Sequence, residues 1–208
     1  MEYRPGFGLG AEIIIMARST DWEARYKAGD TPWDKGLAAP PLSEIDAKYF
    51  EGRVLVPGCG FGHDVRGISR ADNEIVGFDL AQSAVEGARK IPQTGSVRYV
   101  FGNFFELPVE FIEKFNAVFE HTCFCAIDPQ DRARYVASVV QALQPSGFLV
   151  AIFYIDPGHE EGPPFPVSHH ELDNLFGTKF DLLKAWVPKV SFPGREEREE
   201  VRIYQLRA

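Results

Sequence analysis

Residues 53–79, RVLVPGCGFGHDVRGISRADNEIVGFD, decide how the rest of this sequence is interpreted. Positions 54–56 have the continuous apolar character of a buried parallel strand. Glycines then follow at alternate positions, where they permit a sharp turn and the close approach of a ligand: Gly58, Gly60 and Gly62. A second apolar strand ends at Asp79, where a carboxylate can accept hydrogen bonds from ribose hydroxyls. This arrangement predicts a binding site for an adenosine-containing cofactor.

The spacing of the glycines narrows the class of cofactor. Gly-x-Gly-x-Gly is one residue tighter than the dinucleotide fingerprint Gly-x-Gly-x-x-Gly. After a buried strand, the tighter form is more typical of S-adenosylmethionine-dependent methyltransferases. A nicotinamide-dependent oxidoreductase, another nucleotide-binding protein and a purely structural turn are the alternatives. The last of these leaves the acid at the end of the next strand unexplained.

The length and charge of the chain restrict its organisation and its partners. The 208 residues suffice for one domain, residues 1–208, with a core of ordinary size. A formal net charge of −8 disfavours nucleic acids and anionic membranes as partners. We expect a small-molecule substrate, and a protein that is a monomer or a small homo-oligomer.

The N-terminus and the cysteines bear on the location of the protein. The apolar cluster 11–17 is too short to span a bilayer, and no basic run precedes it as in a signal peptide. Residues 1–20 are expected to form a flexible segment or a lid over the site. Three cysteines, an odd number, do not suggest a disulfide framework. We therefore predict a reducing, cytoplasmic setting.

Apolar runs alternate with helical patterns along most of the chain. Strands are predicted at 53–57, 74–79, 97–101, 115–120, 148–154, 179–187 and 200–207. Helices are predicted at 22–27, 42–50, 63–70, 83–90, 129–143 and 168–176. This alternation predicts an α/β fold with a seven-stranded, mostly parallel sheet, helices on both faces and a terminal antiparallel hairpin. A ligand would then bind at the carboxyl ends of the strands, near the switch in strand order.

Longer patterns in four segments are more specific than the glycines alone. They are Thr31-Pro32-Trp33-Asp34-x-Gly36, Val56-Pro57-Gly58-Cys59-Gly60-x-Gly62-His63-Asp64, Phe124-Cys125-Ala126-Ile127-x-Pro129-x-x-Arg132 and Gly162-Pro163-Pro164-Phe165-x-Val167. With them, residues 21–195 resemble the thiopurine-methyltransferase-type class I methyltransferases, with a Rossmann-like fold. Within that superfamily the chain is most similar to the plant and fungal halide and thiol methyltransferases.

The resemblance implies S-adenosylmethionine as cofactor and a set of residues that bind it. Carried over residue by residue, the set is Trp22, Tyr26, Trp33, Gly58, Gly60, Asp79, Asn103, Phe104 and His121. The chain departs from its relatives at His121, where halide and thiol enzymes have tyrosine and thiopurine enzymes have arginine. Tyr26 stands where relatives often have tryptophan, a change that preserves an aromatic wall.

Methyl transfer from a sulfonium is a one-step displacement, which requires alignment of the reactants and exclusion of water. The faces of Trp22, Tyr26 and Trp33 are suited to a nearby sulfonium cation, although packing in the core or a lid is the alternative. His121, at the end of the fourth strand, is the candidate catalytic residue, either as general base or as partner of a thiolate. Packing on the adenosine, or a hydrogen bond to a backbone carbonyl, is the equally weighted alternative.

Other polar groups near these motifs have simpler interpretations. Glu120 is expected either to bond a backbone amide or a cofactor amine, or to be structural. If the segment after the fourth strand is extended, Cys123 and Cys125 face the same side. We expect buried thiols there and no metal site. The charged run 195–200 is expected to be a solvated approach to the last strand.

The sequence therefore predicts an S-adenosylmethionine-dependent methyltransferase acting on a small soft nucleophile, namely a thiol, hydrosulfide, thiocyanate or halide. Two alternatives stay open. One is a methyltransferase for larger thiols or for selenium or tellurium species. The other is a non-catalytic protein that binds S-adenosylmethionine.

Overall fold

The computed structural model describes residues 20–208, so the expected flexible or lid segment, residues 1–20, lies almost entirely outside them. The strands are β1 (Gly52–Pro57), β2 (Asn73–Asp79), β3 (Ser96–Phe101), β4 (Phe115–His121), β5 (Leu143–Tyr154), β6 (Phe180–Trp186) and β7 (Glu199–Leu206). The α-helices are α1 (Trp22–Ala28), α2 (His63–Ile68), α3 (Gln82–Lys90), α4 (Arg132–Ala142) and α5 (His169–Phe176).

The strands form one seven-stranded sheet in the order β3-β2-β1-β4-β5-β7-β6. Neighbouring strands from β3 to β5 are parallel, whereas β7 pairs antiparallel with both β5 and β6. The predicted mostly parallel sheet and terminal hairpin are confirmed. The order of strands reverses between β1 and β4, and such a switch opens a crevice at the carboxyl ends of the strands.

Helices cover both faces of the sheet because the buried strands are apolar on both sides. Along β1, Val54 and Val56 pack with residues of α2 and α3, whereas Leu55 packs on the other face with residues of α4 and α5. The sheet therefore separates two hydrophobic clusters. No helix described between residues 20 and 208 has the length and apolar character needed to cross a membrane.

Two predicted helices differ in detail. The prediction of a helix at 42–50 is wrong, because two 3-10 helices, Pro40–Glu44 and Ala47–Phe50, occupy this segment. Ile45 between them is extended, and Asp46 begins the second by accepting a hydrogen bond from the Lys48 amide. The helix predicted at 129–143 begins as a 3-10 turn at Pro129–Asp131 and is α-helical only over Arg132–Ala142.

The glycine loop depends on close packing at Gly62. Its φ of +74° lies in the left-handed region, and it forms the N-terminal cap of α2. A Cβ at this position would lie 2.4 Å from Oη of the buried Tyr99. Only glycine satisfies both the backbone conformation and the contact.

We predict that Gly62→Ala lowers the free energy of unfolding by about 2–5 kcal/mol, because left-handed strain and overpacking add. Urea denaturation measures the change. Gly29→Ala is the matched control, since Gly29 has a φ of +70° and nothing within 4 Å of the added Cβ. Its expected cost is only about 1–2 kcal/mol. Equal losses in the two variants would contradict a special packing role for Gly62.

Candidate active site

A cavity of about 640 Å³ lies at the carboxyl ends of β1, β2 and β4, within the size range of small-molecule sites. Every residue predicted for the site lines it: Trp22, Tyr26, Trp33, Gly58, Gly60, Asp79, Asn103, Phe104 and His121. Six of these residues lie at or just after the carboxyl ends of β1 to β4, whereas Trp22, Tyr26 and Trp33 come from the N-terminal segment that precedes β1. Their individual roles stay predictions.

An aromatic wall covers the glycine loop from the N-terminal side. The Trp33 ring meets Trp22 and Tyr26 edge-to-face, with centroid distances of 5.2 and 5.6 Å. Nε1 of Trp33 donates a hydrogen bond to the Tyr26 hydroxyl at 3.1 Å. That hydroxyl in turn lies where a Cβ on Gly60 would be only 2.9 Å away. Tyr26 can occupy this position in the aromatic wall only because Gly60 has no side chain.

Asp79 joins the end of β2 to the glycine loop. Its Oδ2 accepts a hydrogen bond from the Gly60 amide, and its Oδ1 accepts one from the Ala81 amide, both at 2.8 Å. Burial raises the pKa of this carboxyl, while the amides act in the opposite direction. A carboxylate has about four lone-pair sites, so the two oxygens retain capacity for ribose hydroxyls.

The segment after β3 forms another wall of the cavity. The Gly102 amide donates to the backbone carbonyl of Asp79 at 2.9 Å, which places the two strand ends together. Asn103 Oδ1 accepts from the Phe105 amide at 3.0 Å, a local turn that fixes the segment. Phe104 packs against Phe78 on one side and Tyr135 on the other. These residues supply an apolar slot suited to a planar base.

His121 lies in a buried group of charged side chains. Its Nδ1 is 2.7 Å from Asp64 Oδ2, and its side chain is only 8% exposed. On the other side, Nε2 lies 3.4 Å from Arg195 NH1 and 3.8 Å from Glu199 Oε1. Arg195 also donates to Glu199 at 3.2 Å. Two acids and two bases therefore alternate around the end of β4.

The surrounding charges determine the protonation state of His121. Burial alone lowers the pKa of the imidazole, but the carboxylates of Asp64 and Glu199 outweigh it and raise the pKa to about 9. The pKa of Asp64 is lowered although burial opposes this, because the cation of His121 lies beside it. The raised pKa favours the protonated imidazole, and an imidazole in that form cannot accept a proton as a general base.

The charged run 195–200 differs from expectation. It was predicted to be solvated, yet Arg195, Glu199 and Glu200 are buried, and Glu200 pairs with His169 at 2.6 Å. Residues 196–198 are exposed as expected, whereas Glu199 and Glu200 are buried because they begin β7, which lies between β5 and β6 inside the sheet. A linear pattern of charges does not reveal this difference. Arg195 lines the cavity.

The extended geometry considered for Cys123 and Cys125 is wrong. Thr122 has a φ of +61°, and a 3-10 helix, Phe124–Ala126, follows it. Glu120 holds this turn, since it accepts hydrogen bonds from the Phe124 amide at 2.8 Å and from the Tyr135 hydroxyl. The structural interpretation of Glu120 therefore accounts for its contacts. Burial raises the pKa of both thiols, that of Cys125 to about 12.

The site fits S-adenosylmethionine on the features of the chain itself. The left-handed glycines leave room for close approach, Asp79 lies at the strand end where a ribose would bind, and aromatic rings that could contact a sulfonium line the same cavity. A seven-stranded sheet with this order and this site defines a class I S-adenosylmethionine-dependent methyltransferase.

Comparison with known proteins places the chain within that class. Residues 17–203 match the family model described as thiopurine S-methyltransferase, and the chain belongs to this family. It is 35% identical over 153 residues to thiocyanate methyltransferase 1 of Brassica oleracea, covering 71% of this chain and 67% of that one. It is 33% identical over 163 residues to the probable thiol methyltransferase 2 of Arabidopsis thaliana, with coverages of 76% and 71%.

A solved structure supports the fold. The 1,6-didemethyltoxoflavin-N1-methyltransferase of Burkholderia thailandensis, with bound S-adenosylhomocysteine, superposes with a TM-score of 0.71 at 18% identity, covering 99% of this chain and 94% of that one. The protein is therefore an enzyme that uses S-adenosylmethionine, and the alternative of a nicotinamide-dependent oxidoreductase is excluded.

Sequence reasoning missed three polar residues of the site. Asp64 stood inside the cofactor motif, so its position was visible although its role was not. Arg195 and Glu199 lay in a run of charges with no pattern that marks a site. The pairing of β7 with β5 places Glu199 behind the cavity wall and the preceding Arg195 in its lining.

We predict that Asp79→Ala raises the dissociation constant of S-adenosylmethionine more than tenfold, measured by calorimetry. The variant loses hydrogen bonds to a charged group, each of which contributes about 1.5–3 kcal/mol. Asp181→Ala is the control, because Asp181 forms an exposed ion pair with Arg207 on a distant strand. Unchanged affinity for Asp79→Ala would show that the ribose is held elsewhere.

The cation of His121 should also stabilise the fold in a pH-dependent way. The folded pKa of about 9 exceeds the unfolded value near 6.5, so this stabilisation is complete below pH 6.5 and is lost as pH rises through about 9. We predict that the stability advantage of the wild type over His121→Gln shrinks by about 3 kcal/mol between pH 6.5 and 10. Urea denaturation at a series of pH values measures it. A constant difference would contradict the raised pKa.

Proposed function

We propose that this enzyme transfers a methyl group to a small soft nucleophile, a thiol, hydrosulfide, thiocyanate or halide, which binds as an anion. One observation carries the proposal: His121 and Arg195 bring two cationic donors to the cavity wall at the end of β4. The names of the two plant relatives, a thiocyanate and a thiol methyltransferase, support the same acceptors.

The two donors cannot satisfy each other. Nδ1 of His121 is engaged with Asp64, so a protonated imidazole has only its Nε2–H free to donate. The nearest groups to Nε2 are a guanidinium nitrogen at 3.4 Å and a carboxylate oxygen at 3.8 Å. The first can donate to Nε2 only when that nitrogen carries no proton, and the second is beyond a good hydrogen bond. An anion between His121 and Arg195 would accept from both.

When bound, S-adenosylmethionine supplies an electrophilic methyl group; the nucleophile's electron pair forms the new bond, and the electrons of the broken carbon–sulfur bond remain on sulfur. A halide or thiocyanate requires no base. A thiol, with a pKa near 8.5, is a few per cent ionised at neutral pH, and adjacent cations favour its thiolate. We therefore assign His121 the role of cationic partner of the nucleophile and not that of general base.

The walls around this position are apolar. Pro163, Pro164 and Phe165 line the cavity beside His121. The Phe165 amide donates to the Cys125 carbonyl at 2.7 Å, which joins this loop to the turn after β4. The buried Arg132 donates to the Pro166 carbonyl at 3.1 Å and to Glu171. This loop is therefore anchored, and it excludes water from a weakly hydrated nucleophile.

The assay is release of S-adenosylhomocysteine with iodide, thiocyanate, hydrosulfide, small alkyl and aromatic thiols, and 6-mercaptopurine. Turnover with small soft anions or thiols would support the proposal. Turnover only with large thiols, or only with selenium or tellurium species added to the panel, would contradict the proposed small acceptors and support the alternative acceptor class. Silence with every acceptor, together with tight S-adenosylmethionine binding, would favour the non-catalytic alternative.

We predict that Arg195→Met raises the KM for thiocyanate at least tenfold while S-adenosylmethionine affinity changes less than twofold. The guanidinium would donate to the anion, whereas the glycine loop and Asp79, the main contacts proposed for the cofactor, belong to β1 and β2. Arg198→Met is the control, because Arg198 is an exposed residue of the same charged run. An unaltered KM in Arg195→Met would remove Arg195 from the acceptor site.

Three broader expectations stay predictions. A single domain over the whole chain and a monomer or small homo-oligomer agree with one continuous sheet in the described residues. A reducing, cytoplasmic setting agrees with the free thiols of Cys59, Cys123 and Cys125.

A further inference from the structure

Asp64 connects two parts of the site that are distant in sequence. It is the second residue of α2, directly after the glycine loop. Its Oδ1 accepts a hydrogen bond from the Ala39 amide at 2.7 Å, and its Oδ2 lies 2.7 Å from His121 Nδ1. The side chain of Asp64 is 17% exposed and that of His121 is 8% exposed, so water competes little for these contacts.

The orientation of the imidazole depends mainly on this carboxylate. On its Nε2 side, Glu199 from β7 and Arg195 from the preceding loop both lie beyond 3.3 Å, and they also bind each other. The Phe192 ring stacks nearly parallel to the imidazole at 6.4 Å, which restricts tilting but not exchange of the two nitrogens. Glu120, the neighbour of His121 on β4, directs its carboxylate to Tyr135 and the Phe124 amide.

We propose that Asp64 is a positioning residue that holds His121 as a cation with Nδ1 bound to its carboxylate, so that Nε2–H is presented to the anionic nucleophile. The inference rests on the proposed function. The same carboxylate fixes Ala39, which follows the loop that carries Trp33. Asp64 would therefore position two groups: the imidazole that donates to the methyl acceptor, and the backbone that follows the Trp33 loop.

Loss of the Asp64 charge has a definite consequence. Burial, which favours the neutral imidazole, would then be opposed by Glu199 at 3.8 Å without the stronger contribution of Asp64, so the pKa of His121 would fall. A neutral Nε2 can accept a hydrogen bond from Arg195, and this contact would withdraw both donors from an anion. His121 and Arg195 would then be bonded to each other at a pH where, in the wild type, both can donate to an anion.

The test begins with the wild type. Protein labelled with ¹⁵N-histidine and free of cofactor is titrated by NMR, and His121→Gln identifies the His121 signals. We expect both ring nitrogens to be protonated at pH 8, with a midpoint near 9. A neutral imidazole at pH 8 would overturn the proposal without any variant of Asp64.

The variant Asp64→Asn keeps an oxygen for the Ala39 amide and removes the charge. We expect the His121 midpoint to fall by at least one pH unit. With thiocyanate, which has no titratable proton in this range, the alkaline limb of kcat/KM should move by the same amount. Asp34→Asn is the control, because it removes another carboxylate–histidine contact on α2, Asp34 to His63 at 3.1 Å, and should leave the His121 midpoint in place. An unchanged midpoint in Asp64→Asn overturns the proposal.

A double-mutant cycle separates positioning from a structural role. At pH 8.5, Asp64→Asn should lower kcat/KM for thiocyanate at least about threefold in the wild type, as a fall of one pH unit in the midpoint requires, and less than twofold in His121→Gln. Equal losses in both backgrounds would show that Asp64 acts on the fold and not through His121. If the wild type transfers methyl to no acceptor, the proposed function fails, and the NMR titration still decides the state of the Asp64–His121 pair.

Discussion

The alternation of charge around the end of β4 is the interaction on which the proposed acceptor side of the site depends. Asp64, His121, Arg195 and Glu199 come from α2, β4, the loop before β7, and β7 itself. Each is largely removed from water, and a buried charge without a partner costs several kcal/mol. The four are tolerated together because each acid touches a base. The fold must therefore bring all four elements to one point before any of these residues can be charged.

The topology of the sheet brings these four charged residues together. β4 lies beside β1 at the switch in strand order, so its last residue faces the start of α2 across the crevice. β5 carries β7 on its other side, and the antiparallel pairing of Glu199 with Tyr154 brings the start of β7 to the same edge. A fold with β6 in the position of β7 would leave the end of β4 without its second pair of charges.

The two halves of the cavity use different physics. The cofactor half relies on backbone and rings: glycines without side chains, amides bound to Asp79, and the faces of Trp22 and Trp33. The acceptor half relies on paired charges within apolar walls. This division suits the proposed transfer of a methyl group from a sulfonium cation to an anion. The two charges attract each other strongly where water is excluded, and both are neutralised when the methyl group is transferred. Because its two acids and two bases compensate each other's charge, this cluster can donate hydrogen bonds to an anion without a large net charge of its own.

The class of fold and the residues predicted to hold the cofactor follow from local features of the sequence. Continuous apolar strands, glycines at 58, 60 and 62, and an acid at Asp79 are local features, and local features are encoded where they occur. The charged surroundings that raise the pKa of His121, and the burial of Arg195 and Glu199, arise only in the tertiary structure, since β4 and β7 are about eighty residues apart along the chain. A charged run has the same pattern whether it meets solvent or a buried carboxylate. Only the position of β7 inside the sheet distinguishes the two outcomes, because burial and pKa arise from neighbours in space and not in sequence.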